Sequence, residues 1–216
     1  MNLRNFSVLA LAFWLAACST APAPPDWQLR AHQAIDNSAR AWLEGDSQRA
    51  DTTFAEARSA IATTGQLHLD ARLDLIRCAH HVAALDTQCQ WNSRDLQGAD
   101  LHYARWIEGR WDAIDPQHLD ARYRPLRVAQ TPAQRTAALQ GIADPLSRLI
   151  AAGLLFKKAE ATPEVIQTAI DTASAEGWRR PLLAWLRVAQ ERAQKNGDIK
   201  AAAEWQRRIK LVIREE

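Results

Sequence analysis

Residues 144–177 read DPLSRLIAAGLLFKKAEATPEVIQTAIDTASAEG, and the punctuation of this stretch decides the fold class. Asp144-Pro145 is an N-cap followed by proline at the first helical position, where the missing N–H costs nothing because that donor has no partner inside the helix. Leu146, Leu149, Ile150, Leu154 and Leu155 then recur at helical spacing. Thr162-Pro163-Glu164 repeats the start signal, and Val165, Ile166, Ala169, Ile170 and Ala173 supply the inward stripe. Gly177 closes that helix, since glycine enters the left-handed conformation of a helix end without a Cβ penalty. Alanine and leucine dominate the rest of the chain and runs of β-branched residues are absent, so the expectation is an all-α fold.

The same signals extend outward. Pro181 is expected to open a helix carrying Leu182, Leu183, Leu186 and Ala193. Lys195-Asn196-Gly197-Asp198 ends it and caps a last helix with Ile199, Ala202, Ile209 and Val212. Thr131-Pro132 starts a helix that stops at Gly141, and the stretch 86–144 is otherwise less regular. It holds an expected helix at 93–108 with Leu96, Tyr103, Trp106 and Ile107, and a short one from Pro116. Nearer the N-terminus, Leu67 to Leu85 reads as a helix. Its stripe is Leu69, Leu73, Ile76 and Ala83, with Leu75, Cys78 and Val82 beside it and Asp70, Arg72, Asp74 and Arg77 off it. Asp26 is read as the N-cap of a first helix over 27–43, and Gly45-Asp46 breaks that helix from a second, which ends near Thr64-Gly65.

The pattern Gly45-Asp46-x3-Ala50-x3-Phe54-x2-Ala57 resembles the turn and second helix of a tetratricopeptide repeat. A small alanine lets two antiparallel helices approach closely, and the aromatic fills the next groove. The leucine-glycine pair of such a repeat falls here on Asn37-Ser38. Gly197-Asp198-x3-Ala202 repeats the device, with Gln206 in the aromatic's place and Trp205 shifted by one. The resemblance implies antiparallel helical hairpins at 27–64 and 181–213, stacked as a superhelix or held in an irregular bundle.

The N-terminus carries a different signal. Arg4 precedes an apolar run over 6–17, interrupted only by Ser7, which fits a secretory signal and is too short to span a bilayer. Its end, Leu15-Ala16-Ala17-Cys18, resembles the lipobox of bacterial lipoproteins. That resemblance implies cleavage before Cys18, acylation of its sulfur and its new amine, and stable anchoring by several acyl chains. Ser19 rather than aspartate follows the cysteine, which by the same resemblance implies the cell outer membrane, with the domain facing the periplasm. Ala21-Pro22-Ala23-Pro24-Pro25 favours an extended polyproline spacer. The expected organisation is a signal peptide at 1–17, the lipidated cysteine and linker at 18–26, and one all-helical domain at 27–216. The chain also resembles proteobacterial lipoproteins that end in a segment like Asp144-Pro145-Leu146-Ser147-Arg148 through Gly177-Trp178-Arg179-Arg180-Pro181, a likeness that implies no activity.

The formal charge is +2, and loss of residues 1–17 takes Arg4 and no acid, leaving +1. So even a balance argues against a nucleic-acid partner, which selects a strongly basic face. In an oxidising compartment Cys78 and Cys89 read as a disulfide, contributing about 2–3 kcal/mol through the unfolded chain. The alternative is a metal or small-ligand site built from Cys78, His80, His81 and Cys89. No serine elbow, zinc-protease helix, phosphate loop or dinucleotide fingerprint is present, so no cofactor is expected. Trp178-Arg179-Arg180 is the candidate partner-binding cluster, since aromatic plus arginine is what interface centres favour. The competing reading packs Trp178 back on its helix behind Gly177 and leaves the arginines at the surface. The functional expectation is a non-enzymatic, membrane-anchored adaptor with an envelope protein partner. A murein- or lipid-acting enzyme is the alternative, with a cleft acid such as Glu44, Glu108 or Glu160.

Overall fold

The computed structural model describes residues 23–88 and 90–213. Within them the chain is all-α, with ten α-helices and no strand. These are α1 (Asp26–Glu44), α2 (Ser47–Ala62), α3 (Leu67–Ala83), α4 (Gly98–Glu108), α5 (Arg124–Val128), α6 (Pro132–Gln140), α7 (Pro145–Lys157), α8 (Pro163–Ala175), α9 (Arg179–Lys195) and α10 (Ile199–Ile213). Two 3-10 turns, Trp111–Ala113 and Pro116–His118, lie between α4 and α5. No helix among the described residues is long and apolar enough to cross a membrane. The expected signal peptide, Cys18 and Cys89 lie outside the described residues.

The start signals act as read. Asp144 accepts a hydrogen bond from the Ser147 N–H at 2.7 Å, Thr162 from Val165 at 3.3 Å and Asp198 from Ala201 at 2.9 Å. Thr131 and Gln134 form a reciprocal capping box. Asp26 is a correction: it is the first residue of α1, Pro25 holds the cap position, and no side chain caps the end. Its charge still favours the first turn through the helix dipole. The helix expected from 93 begins at Gly98, because residues 92–95 close a turn in which Asn92 accepts from the Arg94 N–H. The helix carrying Pro181 begins two residues earlier, at Arg179. Proline is tolerated there because first-turn N–H groups have no intrahelical acceptor.

Helix ends close by one recurrent device. At Gly177 the Trp178 N–H bonds to the Ala173 carbonyl and the Gly177 N–H to that of Ser174, a Schellman closure. Leu85 (φ 64°) and Ala159 (φ 58°) close α3 and α7 in the same way although neither is glycine.

α1 and α2 pack along each other, and Ala50, Phe54 and Ala57 are buried as the spacing implied. At the position where a repeat would carry glycine, buried Ser38 donates to the Ala50 carbonyl at 2.8 Å. α7 packs on α8, α8 on α9 and α9 on α10. Two further contacts join elements far apart in the chain: α3 lies across α7, and α1 touches α9. The α3–α7 crossing is close because Gly153 has no side chain; a Cβ there would lie 2.2 Å from the Val82 carbonyl oxygen. The main core gathers α3, α4 and α6–α9 around fully buried Trp106 and Trp185. A smaller core holds Ala31, Phe54, Ala57 and Ile61 against Leu73.

Candidate functional site

α3 has two apolar faces. Ala71, Leu75, Cys78, Ala79, Val82 and Ala83 enter the main core. Leu69, Ile76 and His80 line an open cleft of about 940 Å³, together with Leu73, which is itself buried in the smaller core. The start of α1 forms one wall with Trp27, Ala31, His32 and Ile35. Facing it are Tyr103 of α4, the segment 117–124, and Leu146 and Ile150 of α7. The stripe that the sequence assigned to α3 is therefore mostly cleft lining. Leu69 and Ile76 stay half-buried because nothing in the described chain covers them.

One end of the cleft carries a polar cluster. Tyr103 and Tyr123 stack with ring centroids 6.3 Å apart, and both line the cleft beside Ser147. Arg122 Nη1 donates to Ser147 Oγ at 2.9 Å, and Arg122 Nε donates to Asp120 at 2.9 Å. Burial pushes the Tyr103 phenol well above its ordinary value, with the neighbouring Tyr123 adding to the effect. Burial likewise raises Tyr123. For Asp120, burial opposes the charge, but hydrogen bonds from the Arg122 backbone and side chain outweigh it and hold the carboxyl below the usual range. At the floor, the His80 pKa is lowered to about 4, first by burial of the ring and then by His81 beside it. At neutral pH the ring is therefore an uncharged imidazole facing the cleft.

A second cluster locks α1, α3 and α9 together. The His81 ring stacks on Trp42 at 3.7 Å, nearly parallel, and the Arg180 guanidinium lies 3.8 Å from the Trp42 ring. Two groups this close to one ring cannot share a face, so Trp42 is held between them. Arg180 also donates to the Trp42 carbonyl at 2.6 Å and to Ser47 Oγ at 2.7 Å. His81 meets Asp86 at 3.1 Å. Burial lowers the His81 pKa, and the Asp86 charge opposes that shift.

The cluster Trp178-Arg179-Arg180 is thus drawn into the protein's own joints. Trp178 packs against the main core behind Gly177. Arg179 lies against Gly45, its Nη2 3.2 Å from where a Cβ would stand. Cys78 is disulfide-bonded and buried, and its expected partner Cys89 is outside the described residues. Among the described residues no group of three or more histidine, cysteine, aspartate or glutamate side chains converges as a metal site. Glu44, Glu108 and Glu160 do not line the cleft: Glu44 pairs with Arg49, Glu108 with Arg110, and Glu160 with Arg135 at 3.3 Å. Sequence reasoning missed Tyr123, Arg122 and Ser147, which come from an irregular segment and a cap. The available signal was the width of the apolar surface on α3, too broad for one buried stripe. Compared with models of known protein families, with curated proteins and with solved structures, the chain matches none.

Proposed function

We propose that this is a lipid-anchored outer-membrane protein whose helical domain is a non-enzymatic adaptor, taking a segment of an envelope protein partner into the cleft. The observation that supports the reading is the cleft itself. Its floor is aliphatic, with Leu69, Leu73, Ile76, Leu146 and Ile150, and its rim carries Arg72, Asp100, Asp120 and Arg122. An apolar floor with a polar rim is how a binding groove combines burial with orientation. The sequence supports the anchor through Leu15-Ala16-Ala17-Cys18 and the proline spacer.

The test is crosslinking in living cells followed by purification and mass spectrometry. The full chain is compared with Cys18→Ala and with the cleft variants Leu69→Glu and Ile76→Arg. A protein partner that depends on the anchor and is lost from both cleft variants is the expected result. A partner retained by both cleft variants would move the binding surface elsewhere. Murein or lipid recovered in place of protein would overturn the adaptor reading in favour of an enzyme.

A further inference from the structure

The charges around the cleft are spent on one another. Arg72 pairs with Asp100 at 2.9 Å, and Arg122 with Asp120 at 2.9 Å. Arg124 donates to the carbonyls of Leu119 and Gln117. Asp144 caps α7 and lies 3.8 Å from Arg122. Deeper in, the phenols of Tyr103 and Tyr123 stay protonated and His80 stays neutral. A cleft so neutralised offers an ionic ligand little and an aliphatic ligand much, because apolar burial needs no charge partner. Its volume of about 940 Å³ is at the upper end of the ~300–1,000 Å³ usual for small-molecule sites.

The chain itself enters at this place. Trp27 and Gln28, in the first turn of α1, line the cleft. The segment outside the described residues ends at Pro22, just before that turn. Asp26 lies eight residues after Cys18, and a chain of that length reaches at most about 28 Å in any conformation, so Cys18 stays within that distance of the start of α1. A second lipid chain already converts marginal binding into stable anchoring, which leaves a further chain on the cysteine available.

We propose that the cleft holds an acyl chain carried on Cys18 of the same molecule, and that a partner segment must displace it. This rests on the lipobox reading of Cys18 and on the cleft as the partner site. The arrangement turns the cleft mouth toward the membrane and keeps the aliphatic floor covered until a partner arrives.

The test uses the full-length protein in cells fed an alkyne-bearing fatty acid. Ile76→p-benzoylphenylalanine puts a photoreactive ketone in the cleft, at a half-buried lining position. Far-UV circular dichroism checks that the variant folds, and Leu69→p-benzoylphenylalanine is the second position. Irradiation is expected to join the peptide containing residue 76 to the acylated Cys18 peptide of the same chain. The product should disappear with Cys18→Ser, and fall at least tenfold with the probe at Leu29, which is 52% exposed and outside the cleft. If Cys18 carries the alkyne but both cleft probes join only phospholipid, another protein, a second copy or nothing, this proposal fails and the anchor stands. If Cys18 carries no alkyne, the anchor reading fails and the proposal with it. The partner reading is judged separately, by capture with the cleft variants.

Discussion

Replacing Gly153 by alanine probes the close approach of α7 to α3 at Val82. In most helix interiors this change stabilises by about 1 kcal/mol, because glycine loses more backbone entropy than alanine. At this position the new Cβ would stand 2.2 Å from the Val82 carbonyl oxygen and 2.9 Å from Val82 Cγ1. Non-bonded carbon contacts settle near 3.5–4.0 Å, so α3 and α7 would have to part by roughly 1 Å. The oxygen and the Cβ are both fixed to helical backbone, and no flexible side chain can yield. Overpacking of a dense core costs about 1–3 kcal/mol, and this geometry belongs at or above the upper end. After the propensity gain is offset, the net loss is about 2–4 kcal/mol, a large part of the 5–15 kcal/mol typical of a domain. Urea unfolding followed by circular dichroism and tryptophan fluorescence reads it as a lower midpoint. Gly141→Ala is the control: its φ is ordinary and its Cβ would lie 3.5 Å from the nearest atoms, so it should be neutral or stabilise by up to about 1 kcal/mol. If Gly153→Ala proves as stable as the parent or more so, α3 and α7 do not meet as described.

Ala159 is exposed and sits at φ 58°; Ala159→Gly should therefore raise stability by about 1 kcal/mol, seen as a higher melting temperature. An unchanged or lower value would contradict the left-handed closure of α7. Arg180→Ala removes two charged hydrogen bonds and the contact on Trp42, and should cost about 2–3 kcal/mol in urea. Arg180→Lys should restore little of this, because an ammonium cannot make the forked contact; full rescue by lysine would show that only charge matters. His80 titrates near 4 in the folded protein against 6.5 in its ordinary state. The unfolded chain takes up that proton first, so stability is full above about pH 6.5 and is lost as pH falls toward 4, by at most about 3 kcal/mol. His80→Gln should flatten the melting curve over that window, and parallel pH curves for the two proteins would refute the assignment.

Much of the helical framework was legible because it is written in short-range chemistry. Asp144, Thr162, Thr131 and Asp198 announce helix starts, since an N-cap needs only a side-chain oxygen two or three residues from orphan donors. Gly45, Gly177 and Gly197 announce ends by the same local logic. Leu85 and Ala159 carry no such mark, because there the surrounding packing imposes a conformation that the residue does not prefer. Trp178 illustrates the limit of composition: an aromatic beside two arginines fits an interface, yet the Schellman closure turns the indole onto the core and Arg180 is consumed by Trp42. No spacing in the sequence links position 180 to position 42.

The candidate site was legible only in its materials. The apolar residues at 69, 73 and 76 were visible as a stripe, but whether a stripe is core or cleft depends on whether another element covers it. Tyr103, Tyr123, Ser147 and Arg122 come from separate segments, and only the fold stacks the two rings and lets Arg122 donate to Ser147. By itself, then, the sequence determined the all-α class, the helix starts at Thr131, Asp144, Thr162 and Asp198 and the inner face of α2, because these depend on contacts within a few residues. The tertiary structure decided which face of α3 is left open, that Gly153 must be glycine, and that Trp42 is held between His81 and Arg180. Those outcomes are set by which helix surfaces meet across the chain, and periodicity along one helix carries no information about its neighbour.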